Sequence, residues 1–170
     1  MKTLLLLLTL IFAFTSFGQP PVYVSTIGLA GWWSFSGNAN DESINGNDGT
    51  VNGAILTTDR YGNSNSAYYF NGIDNNINLG TPNSLTVFDT LTISAWVKTD
   101  ADNHGEFVIG SSMQDRSYLM SVAESTDKFE FTISNNSLTS WDAYGESSTI
   151  VSDDQWHHIV GVFEPLIIKV

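Results

Sequence analysis

Apolar and polar side chains alternate along the chain in short runs that end at clusters of Gly, Asn, Asp and Ser. The clearest run is 91–98, in which every second residue from Leu91 to Val97 is apolar. Residues 128–133 alternate as strictly. Other short apolar runs predict strands at 68–70, 76–79, 107–109, 118–122 and 159–163. No window keeps a 3.6-residue apolar repeat over three turns, so the pattern predicts an all-β sandwich or barrel.

The segment 28–54 joins an aromatic run to a loop rich in oxygen-bearing side chains. Leu29, Trp33 and Phe35 alternate with small or polar neighbours, which predicts a strand with one buried face. The loop that follows contains two Asn-Gly pairs, which accept the positive φ of tight turns. It also concentrates the carboxylate and amide oxygens that Ca²⁺ prefers, so calcium is a candidate cofactor.

The first 18 residues have the pattern of a secretory signal peptide. Lys2 precedes an apolar run from Leu4 to Phe14 that is too short to span a bilayer, and small residues, Ser16 and Gly18, lie where cleavage is expected. We therefore predict a secreted or cell-surface protein whose mature chain begins with a short leader, 19–27, followed by a single domain, 28–170. No later segment is apolar and long enough for membrane insertion.

Charge and cysteine content narrow the classes of partner. The chain has 18 acidic and six basic residues, a net charge of −12, which predicts that it binds no nucleic acid. It has no Cys, so disulfides cannot stabilise it outside the cell.

Three sequence blocks then resemble a known family, the laminin-G-like (concanavalin A-like) jelly-roll domains of secreted bacterial proteins. They are GLAGWWSFSGNANDESINGNDGTVNGA, AYYFNGIDNNINLG with LTISAWVKTD, and SDDQWHHIVGVF. The resemblance covers about 28–163 and implies an antiparallel jelly-roll β-sandwich. It also implies that further strands follow Val170, so we expect the C-terminal strands to be missing from this chain. Either the chain is part of a larger polypeptide, or a partner supplies those strands.

The predicted calcium ligands are oxygen-bearing residues of the loop and of the turn after Phe70. They are Asp41, Asn45, Asn47, Asp48 and Asp74. The alternative is that these side chains only satisfy loop backbone groups through Asx turns. An EF-hand is excluded because Asn52 stands where such a loop needs a bidentate Glu. Two departures from the family pattern, Ser36 and Ile44, weaken the metal site. By resemblance to pentraxin-like domains, Asp115 is a further candidate ligand.

Three aromatic residues are candidates for contact with a sugar ring. Trp141 and Tyr144 fall in a segment that reads as a polar loop, and Trp96 falls on the polar side of its strand. For Trp96 we favour burial in the core, because a sandwich strand can be buried on both faces.

The sequence offers no catalytic constellation. It lacks a nucleophile elbow, a zinc-protease motif and the paired carboxylates along one strand that jelly-roll glycosidases use. We therefore predict a non-catalytic binding or adhesion module for carbohydrate or for a cell-surface protein, with calcium as an aid to binding. The alternatives are an accessory domain of a larger secreted glycoside hydrolase or peptidase, and a structural spacer.

Overall fold

The computed structural model describes residues 20–86, 90–100, 106–112, 117–134 and 143–164. Within these ranges the chain forms ten β-strands and one 3₁₀ turn, Asn83–Leu85, and no α-helix. In chain order the strands are β1 Thr50–Asn52, β2 Ile55–Thr57, β3 Ala67–Tyr69, β4 Asn76–Asn78, β5 Leu91–Val97, β6 Glu106–Ser112, β7 Ser117–Val122, β8 Lys128–Ser134, β9 Ala143–Ile150 and β10 His157–Phe163. The prediction of an all-β fold is confirmed.

The larger sheet is antiparallel, with strand order β6–β7–β8–β9. Its inner face carries the buried side chains of Met120, Val122, Phe129, Phe131 and Ile133. Burial alternates from Lys128 to Phe131, since successive side chains of a strand point to opposite faces, and the last four residues of β8 are all buried.

A second layer, the antiparallel pair β5–β10, covers this inner face. The register places His158 opposite Trp96 and Phe163 opposite Leu91. Close contact between the layers requires Gly161, because a Cβ at this position would lie 2.5 Å from Cγ of Phe131. The two layers form the β-sandwich that the sequence predicted.

Two short antiparallel ladders, β1–β4 and β2–β3, make up the N-terminal half. The predicted strand within 28–35 is wrong: Phe35 has a φ of 57°, and these residues are in no ladder. Their backbone forms hydrogen bonds with the following loop instead. The Trp32 N–H donates to Oδ1 of Asp41, and the Glu42 N–H donates to the Trp32 carbonyl. An aromatic run can thus pack without joining a sheet.

Some predictions fall on residues that the structure does not describe. They are the signal peptide, the candidate sites Trp141 and Asp115, and the last six residues. In the described part of the chain, no helix has the length and apolar character needed to cross a membrane.

Candidate functional site

The outward side of the four-stranded sheet, which we call the polar face, combines exposed aromatic rings with hydroxyl and carboxylate groups. Cross-strand register places Phe107, Ser121, Glu130 and Glu146 in one row across all four strands. Tyr144 lies opposite Thr132 in the next outward-facing row. Side chains directly opposite each other in a sheet share a face and interact, so these residues form one surface.

A β-bulge brings Phe107 to this surface. The register of β6 shifts between Phe107 and Ile109, so Ile109 packs against the core while Phe107 points outward and is 77% exposed. In a regular strand these two side chains would share a face. Bulges re-aim side chains in this way next to functional sites.

The carboxylates of Glu130 and Glu146 face each other across β8 and β9. The Tyr144 hydroxyl donates to Oε1 of Glu130 at 3.0 Å. Glu146 accepts from the Thr126 hydroxyl at 2.9 Å and from Nζ of Lys128 at 3.1 Å. These two hydrogen bonds lower the pKa of Glu146, so it is ionised at neutral pH. Desolvation and the hydrogen bond to Glu130 raise the pKa of Tyr144, which keeps its hydroxyl protonated as a donor.

Small hydroxyl side chains form the floor between the aromatic residues. Ser121 and Thr132 are 6% and 7% exposed, whereas Tyr144 beside them is 59% exposed. Phe107 and Tyr144 stand on the two outer strands, about 14 Å apart across the sheet and about 7 Å apart along it, or about 16 Å in all. The face therefore has an aromatic side chain on each outer strand, buried hydroxyls between them and the carboxylates of Glu130 and Glu146 beside Tyr144.

Trp96 lies on the other layer, on the outward side of β5. It is 44% exposed, so its expected burial in the core is wrong: β5 is buried on one face only. Its ring stacks on the ring of His158, with centroids 5.1 Å apart. The guanidinium carbon of Arg60 lies 4.4 Å from the Trp96 centroid. Trp96 and Tyr144 therefore belong to separate surfaces.

The loop 38–49 brings four of the predicted calcium ligands together, with Asp41 at its centre. Oδ1 of Asp41 accepts from the N–H groups of Trp32 and Ser43, and Oδ2 accepts from the Asn47 N–H and the Ser43 hydroxyl. Burial alone would raise the pKa of Asp41, but these four hydrogen bonds together lower it. Protein donors already surround this carboxylate, which supports the alternative in which Asp41 organises the loop.

The other predicted calcium ligands in the described ranges also form hydrogen bonds within the protein, and Asp74 lies away from the loop. Nδ2 of Asn45 and of Asn47 donates to the Ala30 carbonyl, and Oδ1 of Asp48 accepts from the Asp41 N–H. Asp74 bonds Asn71 in its own turn.

The ladder between β1 and β4 separates Asp74 from the loop. Asp48 lies just before Thr50, at the end of the ladder where Thr50 pairs with Asn78. Asp74 lies just before Asn76, at the opposite end, where Asn76 pairs with Asn52. Among the described residues, no three His, Cys, Asp or Glu side chains are placed to hold a metal ion. Calcium stays a prediction.

A cavity of about 370 Å³ lies beside this loop. It is lined by Pro20, Thr26, Leu29, Glu42, Ser43 and Ile44, none of which is a predicted ligand.

A family model described as the concanavalin A-like lectin/glucanases superfamily matches residues 70–169, more than half of the chain. The chain belongs to this superfamily. The resemblance read from the sequence blocks is thereby confirmed, and the match includes the residues of both sandwich layers. No curated protein and no solved structure matches the chain.

Within this superfamily domain, the sequence pattern pointed to Tyr144 but not to its neighbours. Glu130 is the only acidic residue of β8, so its own strand gives it no carboxylate partner. Its partner across the sheet is Glu146, 16 residues along the chain. The signal that could have found this partner is weak, since the segment 143–150 has no apolar alternation and reads as a loop.

Proposed function

We propose that this protein is a secreted, non-catalytic carbohydrate-binding module and that the polar face holds a neutral oligosaccharide. The observation that supports this most strongly is the pair of exposed aromatic side chains, Phe107 and Tyr144, on either side of a floor of buried hydroxyls. Membership of a superfamily that includes lectins agrees with a binding role.

The proposed contacts follow from the chemistry of a sugar ring. Its C–H side packs on an aromatic ring, and its hydroxyls are hydrogen-bond donors that favour ionised acceptors. Tyr144 offers the ring. Glu130 offers a carboxylate that accepts from the Tyr144 hydroxyl, and Glu146 offers a second carboxylate at the position opposite Glu130 on β9. The separation of about 16 Å between Phe107 and Tyr144 fits an oligosaccharide of about three rings better than a single sugar.

A glycan array with the mature chain tests this proposal. Wild type should bind a set of neutral glycans, and Tyr144→Ala and Phe107→Ala should each weaken that binding by about tenfold. Tyr69→Ala is the matched control, because Tyr69 is an equally exposed tyrosine on β3. Binding at the polar face should survive EDTA, since none of the predicted calcium ligands that the structure describes lies there. The proposal would be refuted if wild type bound no glycan, or if Tyr144→Ala and Tyr69→Ala bound glycans with equal affinity.

A further inference from the structure

Arg60 has an unusual environment for an exposed arginine. It lies in the loop between β2 and β3, and its guanidinium carbon is 4.2 Å from the Tyr61 ring centroid and 4.4 Å from the Trp96 ring centroid. Its Nη2 donates to the Tyr61 hydroxyl at 2.9 Å. A guanidinium stacked on aromatic rings keeps its in-plane N–H groups available for a planar anion. The side chain is therefore held in position before any ligand arrives.

This guanidinium has no carboxylate partner within the part of the chain that the structure describes. The other two basic residues there are both ion-paired: Lys98 with Asp154 at 3.0 Å, and Lys128 with Glu146 at 3.1 Å. Among the three Lys and Arg residues of the described ranges, Arg60 is therefore the one that forms no ion pair.

The nearest carboxylate in sequence, Asp59, is committed to the loop itself. Its oxygens accept from the Tyr61 N–H, the Asn63 N–H and Nδ2 of Asn63. The Asn63 side-chain hydrogen bond lowers the pKa of Asp59, so this carboxylate stays ionised and keeps the loop in shape. Asp59 thus fixes the backbone of the loop that carries Arg60. The charge of Arg60 also contributes to the lowered pKa of Asp59, but the two side chains form no ion pair, so the N–H groups of the guanidinium can bind another anion.

Polar and aromatic groups suited to a sugar surround Arg60. His158 stacks on Trp96, and its Nε2 lies 2.8 Å from the Ser94 hydroxyl. Part of the Trp96 ring and most of Tyr61 remain exposed. The surface therefore offers a cation for a carboxylate, apolar rings for C–H groups, and hydroxyl and imidazole groups for sugar hydroxyls.

We propose that Arg60, Tyr61, Trp96, Ser94 and His158 form a second binding site, for a carboxylate-bearing sugar such as a hexuronate unit of an acidic polysaccharide. The carboxylate would take two in-plane N–H donors of Arg60, and the sugar ring would lie against the exposed aromatic surface. The site goes beyond the proposed function, because it lies on the β5–β10 layer rather than on the polar face and requires an anionic sugar.

Calorimetric titration of the mature chain with hexagalacturonic acid tests this site. Wild type should bind the hexamer at low salt, and its fully methyl-esterified form should bind at least about tenfold more weakly, because the ester lacks the anionic acceptor. Arg60→Gln should lose affinity to a similar extent. Lys98→Gln is the matched control, because it removes the same charge at a residue that is ion-paired with Asp154 and belongs to neither proposed site, so it should bind like wild type. Circular dichroism verifies that each variant is folded.

Three outcomes would overturn the proposal. They are equal binding of the acid and its methyl ester, equal affinities of Arg60→Gln and Lys98→Gln, and equal binding of a hexaglutamate peptide, which would indicate a carboxylate site with no sugar recognition. The variant Tyr144→Ala tests whether the acid binds at the polar face instead. Loss of hexagalacturonate binding in this variant would show that it does, and would also overturn the proposal.

Discussion

Replacement of Gly161 by Ala should destabilise the sandwich, because the two layers touch at this residue. The added Cβ would lie 2.5 Å from Cγ and 2.7 Å from Cδ1 of Phe131, whereas carbon atoms pack at about 3.5–4.0 Å. Either the ring or β10 must move by about 1 Å, and forced overpacking of a core costs about 1–3 kcal/mol. For a domain of this size, the melting temperature should fall by about 3–10 °C.

Gly145→Ala is the matched control. Gly145 pairs with the same Phe131 across the sheet, yet a Cβ there would meet nothing within 4 Å. This change should be neutral or stabilising by about 0.4–1 kcal/mol, since it only reduces the freedom of the unfolded chain. Urea unfolding of both variants, followed by tryptophan fluorescence, measures the difference in unfolding free energy.

A double-mutant cycle with Phe131→Leu identifies the cause. If the ring is the obstacle, Gly161→Ala should cost less than half as much in the Phe131→Leu background as in wild type. An unchanged cost in that background would show that the Cβ disturbs something other than the ring and would refute this account of layer contact.

Two further predictions concern the N-terminal half. Asp41→Asn should lower the unfolding free energy at pH 7 by about 1–3 kcal/mol, because an amide cannot accept all four hydrogen bonds. Since folding lowers the pKa of Asp41, this stabilisation is complete above the unfolded pKa of about 3.9 and is lost as the pH falls through the folded value, so the two urea midpoints should begin to converge only below about pH 4. Mass spectrometry of the exported chain should find Gln19 at its N-terminus.

The clearest sequence patterns belong to strands that pack one face against the core. In β5, and in β8 as far as Phe131, every second side chain is turned toward the core, and the sequence alternates accordingly. β9 was missed because most of its residues are exposed, so no apolar pattern marks it. Conversely, the aromatic run before Phe35 has the composition of a strand, but hydrogen bonds to the following loop, including those to Asp41, hold its backbone instead.

The sites depended on register and on long-range contacts that a single sequence does not reveal. Alternation alone places Phe107 and Ile109 on one face, and only the bulge separates them. Glu130 meets Glu146 because of the pairing of β8 with β9, and Arg60 meets Trp96 across 36 residues of chain. Tyr144 could be proposed early because exposed aromatic residues in a polar segment are informative without knowledge of their neighbours.

The most direct test of the carbohydrate-binding proposal is a ¹H–¹⁵N NMR titration of the mature chain with the strongest neutral oligosaccharide from the array. The account predicts that the amide shifts concentrate on the strands beneath the polar face, at Phe107, Ser121, Glu130, Thr132, Tyr144 and Glu146. Shifts confined to the loop 38–49, with the sheet amides unmoved, would contradict it.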